Sequence, residues 1–171
     1  MNQKTTALPV PGPTPSLPIS QIRQIMDWFE AAIPNPDHVD IQTQIGVHLE
    51  EVAEMLQPLI EMADNEETRD QIEFFRNVVE HAAKRFKSHH KSFQIDFRWA
   101  DREKILDSLC DQIVTSVGIA HMFGMDIEGA LGAVAASNDS KFGESGKPIF
   151  NASHKIMTGP NYRSPELTRF T

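Results

Sequence analysis

The chain has 171 residues, enough for one domain with a real core. Its 24 acidic residues against 16 basic ones give a formal net charge of -8, which argues against a general nucleic-acid coat, because phosphate backbones select a basic surface. The lone cysteine, Cys110, excludes an internal disulfide and fits a reducing compartment. No stretch approaches the roughly 18–20 apolar residues of a membrane span, and the first residues do not follow a basic-then-apolar signal layout. The expectation is a cytoplasmic protein without a nucleic-acid or membrane partner.

In chain order, residues 1–18 carry Pro9, Pro11, Pro13, Pro15 and Pro18. Alternating prolines remove donors and fix φ, so this stretch reads as an extended tail. Ser20 suits an N-cap for a helix from Gln21 to about Ile33, closed by Pro34 and Pro36. A second helix is expected from about His38 to Ala63, on the stripe Ile45, Leu49, Val52, Leu56 and Leu59, with a kink or break at Pro58. A third runs from about Glu66 to Ser88, with Phe74, Phe75, Val78, Val79, Ala82, Ala83 and Phe86 as its buried side. After a loop-like stretch, a fourth helix spans about Arg98 to Phe123 and stops at Gly124. Asp126 caps a fifth, from Ile127 to about Asn138. Beyond Lys141, glycines and prolines break every pattern, and no strand period appears. The fold class is all-α: a helical domain over 19–140, followed by a C-terminal substrate-binding loop or tail over 141–171.

Two acidic runs stand out, Glu50-Glu51-x-x-Glu54 on the second helix and Asp107-x-x-x-Asp111 on the fourth. Residues three and four apart are neighbours on a helix surface, so each run presents its carboxylates on one side. Taken alone, the first run reads equally well as a solvated face. The second is harder to dismiss. Aspartate is a poor helix former, and the i+4 partner of Asp107 is Asp111 itself, a like-charge pair that costs stability. Five hard oxygen ligands brought together suit Mg²⁺, with Mn²⁺ as a substitute. Both aspartates border a broad apolar arc, Ile105, Leu106, Leu109, Cys110, Ile113, Val114 and Val117, which needs cover; Cys110 reads as a small core residue of that arc.

At these residues the chain resembles the all-α nucleoside triphosphate pyrophosphohydrolases, a group that includes the MazG proteins, the dimeric dUTPases and the phosphoribosyl-ATP pyrophosphohydrolases. The family pattern is Glu-Glu-x-x-Glu on one helix and Glu-x-x-Asp on a later one. The first stands here as Glu50-Glu51-Val52-Ala53-Glu54. In the second, Ser108-Leu109-Cys110-Asp111, serine replaces the family's glutamate, and Asp107 supplies the carboxylate one residue earlier. The stretch between Glu54 and Asp107 is longer than in a compact MazG domain. Asn138-x-x-Lys141 and Lys155-x-x-x-Gly159-Pro160-x-Tyr162 look like the tail of phage-type members, the branch that holds the MazZ-like dGTP/GTP enzymes.

The resemblance implies a MazG-like helical bundle completed by pairing of subunits, as a homodimer or homotetramer. It implies Mg²⁺-dependent hydrolysis of a nucleoside triphosphate to the monophosphate and pyrophosphate. Glu50, Glu51, Glu54, Asp107 and Asp111 would hold metal, and Glu50 or Glu51 would act as general base. Asn138, Lys141, Lys155, Tyr162 and Trp28 are the candidate substrate-binding residues, although Trp28 also falls near the apolar face of the first helix. The open alternatives are the same chemistry on dUTP, dCTP or a modified nucleotide, and a non-enzymatic helical interaction protein whose acidic faces are merely solvated.

Overall fold

A computed structural model describes residues 20–90, 93, 95–97, 101–143, 145–152 and 154–171. The proline-rich segment 1–18 and Trp99 lie outside the described residues. Helix α1 (Gln21–Ala32) starts at Ser20, whose hydroxyl accepts the Arg23 N–H at 3.2 Å. Helix α2 (His38–Glu61) opens with a reciprocal capping box between Asp37 and Asp40. Pro58 does not break it, and the helix continues to Glu61. The proline falls in the last turn, where the backbone bond it removes sits at the fraying end.

Helix α3 (Glu66–Lys87) returns alongside α2 as the second arm of an αα-hairpin. Its acids Glu66 and Glu67 lie in the first turn and its bases Lys84, Arg85 and Lys87 in the last, matching the helix dipole at both ends. The seam is made by small residues. Gly46, Ala53 and Ala83 are buried, and a Cβ on Gly46 would come within 2.6 Å of Lys87 Cγ and 2.9 Å of the Ala83 carbonyl oxygen. Gln42 donates across the seam to the Phe86 carbonyl at 3.0 Å. The expected buried side of α3 is therefore shifted. The Ala83 side faces α2, while Phe74 and Phe75 are 66% and 62% exposed and Val78 is exposed too. Gly46→Ala is expected to cost about 1–3 kcal/mol by overpacking, read as a lower melting temperature with helical content kept; an unchanged melt would mean that the seam is loose.

Helix α4 (Arg102–Phe123) begins later than the Arg98 expected, because Asp101 takes the cap and accepts the Lys104 N–H at 3.1 Å. It stops at Gly124, which has φ 74°. Of its residues only Ala120 is buried, and its apolar arc is uncovered, with Leu106 63% and Val114 67% exposed. Cys110 is exposed as well, a correction to its reading as a core residue: α4 leans on α5 near its C-terminal end, and most of its arc is left uncovered by the described residues.

Helix α5 (Ile127–Asp139) packs on α1. The Trp28 ring is 8% exposed, stacks on Phe142 at 5.6 Å and 4°, and donates Nε1–H to the Asn138 carbonyl at 2.8 Å. Two short strands, β1 (Ile149–Phe150) and β2 (Ile156–Met157), then pair antiparallel, with Ile149 opposite Met157. Two residues per strand are too few for alternation to register. A 3₁₀ turn, Thr168–Phe170, tucks Phe170 against Gly129, and the Asp126 N–H donates to the Phe170 carbonyl at 2.9 Å. The architecture is all-α, and among the described residues no helix is long and apolar enough to cross a membrane.

Candidate functional site

Glu50, on α2, is the point where three parts of the chain meet. Its Oε1 accepts from Lys87 Nζ at 2.6 Å and its Oε2 from Lys155 Nζ at 2.7 Å. Lys87 comes from the last turn of α3 and reaches Glu50 because Gly46, one turn earlier on α2, lets α3 approach. Lys155 comes from the tip of the β1–β2 hairpin. There the Asn151 N–H donates to the Lys155 carbonyl and the Lys155 N–H to Asn151 Oδ1, both at 3.0 Å. His154, at φ 58°, turns the chain and sets its Nδ1 3.7 Å from Asp40 Oδ1 on α2. The hairpin tip thus lies along α2 with contacts at Asp40 and Glu50.

Partial burial by itself pushes the Glu50 carboxyl up, and the two ammonium groups outweigh it, holding the group below its ordinary value of 4.5. A carboxyl lowered on folding contributes stability above its unfolded value and loses that contribution as pH falls through the folded one. The gap in melting temperature between the wild type and Glu50→Gln is therefore expected to narrow as pH drops below 4.5. A constant gap down to low pH would rule out the two-lysine contact as its source.

The other acids sit differently. Glu51 and Glu54 are exposed on α2, and Asp107 and Asp111 are exposed on α4. Among the described residues of one chain, no three His, Cys, Asp or Glu side chains gather closely enough to hold a metal ion. Helices α2 and α4 do touch through His48 Nε2 and Gln112 Oε1. That contact lies one helical turn from Glu51 and one residue from Asp111.

The remaining candidates collect at the joint of α1, α5 and the tail. Lys141 is half-buried; its N–H donates to the Asn138 carbonyl at 3.0 Å and its carbonyl accepts from Gly159 at 3.1 Å. Gly159 is required there, since a Cβ would fall 2.7 Å from the Lys141 oxygen. Tyr162 follows one turn later, 38% exposed. Trp28 is enclosed beneath Asn138, so its indole props this corner rather than facing solvent. Lys87 is a residue that the sequence places at the end of the third helix without marking it as part of a site. The available signal was Gly46 one turn before Glu50, matched by Ala83 one turn before Lys87.

No family model matches the chain, and no curated protein sequence does. Among solved structures, the fold is similar to that of a putative NTP pyrophosphohydrolase from Exiguobacterium sp. 255-15, with a TM-score of 0.52, 19% sequence identity, and coverage of 85% of this chain and 88% of that one. At that identity the likeness is one of architecture: this chain shares the helical fold of that protein.

Proposed function

We propose that the protein is a divalent-metal-dependent nucleoside triphosphate pyrophosphohydrolase, releasing the monophosphate and pyrophosphate, with dGTP or GTP as the preferred substrate. The observation that carries this reading is the meeting of Lys155 and Lys87 on Glu50 of the acidic run, two cations beside a run of carboxylates. The helical fold shared with a protein named for this chemistry supports it.

The donor chemistry fits Mg²⁺ or Mn²⁺, all five groups being carboxylates, and one side-chain contact, His48–Gln112, joins the helices that carry the two runs. Glu50, Glu51, Glu54, Asp107 and Asp111 would hold the metal. When bound, it supplies charge neutralisation of the triphosphate and activation of water. Glu50, ion-paired with Lys87 and Lys155, is the weaker proton acceptor. Glu51, exposed one residue later, is the general base in this reading. Lys141 and Lys155 bind phosphate oxygens, Asn138 meets the sugar, and Tyr162 stacks on the base, with Trp28 holding Asn138 in place. The uncovered arc of α4 is closed by a second copy, giving a homodimer or homotetramer.

Chromatographic product analysis of each common NTP and dNTP with Mg²⁺ tests the assignment. Monophosphate plus pyrophosphate, with dGTP and GTP leading, supports it. A lead by dUTP or dCTP would move the substrate. No turnover with Mg²⁺ or Mn²⁺ would leave a helical interaction protein.

A further inference from the structure

The face of α3 that looks toward α2 carries Arg76, Glu80, Lys84 and Lys87, at helical steps of four, four and three. Opposite stand Glu50, Glu54 and Gln57, and between the two helices lies a cleft of about 270 Å³. Its six charged side chains are three cations (Arg76, Lys84, Lys87) and three carboxylates (Glu50, Glu54, Glu80), so its formal charge sums to zero. A bare anion would meet the three carboxylates and a bare cation the three bases. A ligand carrying both signs matches the lining.

The bases are held in place by neighbouring side chains, most of them in the cleft. Lys84 Nζ is 2.7 Å from Glu80 and Lys87 Nζ 2.6 Å from Glu50. The Arg76 guanidinium is fixed by Gln57 Oε1 on one nitrogen and by Asn77 Oδ1 at 3.2 Å on another. Its third nitrogen, Nε, is buried and has no hydrogen-bond acceptor among the described residues. A buried donor without an acceptor is rare in a finished structure. Nε itself is closed to a ligand, so phosphate oxygens would meet the exposed part of this side chain, which is 28% exposed and of the type best suited to them. The stripe from Arg76 to Lys87 is about 16 Å long, enough for a polyphosphate chain.

We propose that the α2–α3 cleft binds a polyphosphate together with its divalent cation, with Arg76, Lys84 and Lys87 on the phosphate oxygens and Glu50 and Glu54 on the cation side. This rests on the pyrophosphohydrolase reading and moves the principal phosphate-binding cations from the C-terminal tail to α3. The probe is inorganic tripolyphosphate with Mg²⁺, titrated calorimetrically into the full chain. Arg76→Gln and Lys84→Gln are each expected to weaken binding about 10- to 100-fold, the loss of one charge-assisted hydrogen bond. Lys104→Gln, on the solvent side of α4, serves as the control and keeps wild-type affinity. Arg76 also braces Gln57, so melts accompany each titration. Lys84, 68% exposed, is the variant that stays folded if Arg76→Gln does not.

Absence of binding to the wild type, or equal binding by Lys84→Gln and wild type, overturns the proposal. The two readings fail separately. Nucleotide turnover with an unchanged KM in Lys84→Gln sinks the cleft and keeps the enzyme. Tripolyphosphate binding that depends on Lys84, with no nucleotide hydrolysed, keeps the cleft and sinks the enzyme.

Discussion

Glu51→Gln is expected to lower kcat by about 10²- to 10⁴-fold, the range of a lost general base, while leaving the melting temperature near that of the wild type. The expectation comes from the unequal settings of adjacent carboxylates. Glu50 is 28% exposed and tied to Lys87 and Lys155, so its removal strands two ammonium groups and weakens the join between α2, α3 and the hairpin. Glu51 is exposed, and no ion pair joins it to another described residue. Glu50→Gln is therefore the variant that lowers stability, and Glu51→Gln the one that lowers turnover alone. Pyrophosphate release in a single-turnover experiment checks this. A Glu51→Gln protein within a few-fold of wild type would remove Glu51 as the base.

The second large effect concerns α4. Leu106, Leu109, Ile113 and Val117 follow one another at helical steps and remain exposed within one chain. A monomer rarely leaves so continuous an apolar stripe in water. Burying one such side chain stabilises by about 1.5–3 kcal/mol. Leu109→Glu with Ile113→Glu is thus expected to weaken self-association by about 10²- to 10⁴-fold. Sedimentation across a concentration series would show the wild type as a dimer or tetramer and the double variant shifted toward monomer. A wild type that sediments as a monomer throughout would mean that something other than a second copy covers α4. Exposed Phe74, Phe75 and Val78 on α3 are a separate apolar surface, so a tetramer could use both.

The helices were legible because their ends are written in single residues. Ser20 and Asp126 accept the backbone N–H groups expected of N-caps, and Gly124 adopts the left-handed turn that stops α4. Periodicity was a weaker guide to which face is buried. On α3 the large apolar side chains suggested the core, yet the helix docks by its small ones, because close approach at Gly46 outranks hydrophobic bulk. The strands escaped notice because each is a single pair of residues. The two acidic runs could be placed on helix faces from spacing alone. The partners of Glu50 could not, because the Lys155–Glu50 contact spans 105 residues and only tertiary structure brings them together.

That separation sets an order of assembly. Helices α2 and α3 are neighbours in the chain and can zip together as soon as both exist, since contacts local in sequence carry little loop-closure entropy. In a growing polypeptide, Glu50 would then meet Lys87 long before Lys155 is synthesised. The carboxylate spends that interval with one ammonium partner, and the hairpin tip arrives last onto a helix pair already formed. The candidate site is thus completed by the late-made third of the chain, on a template laid down by the first half.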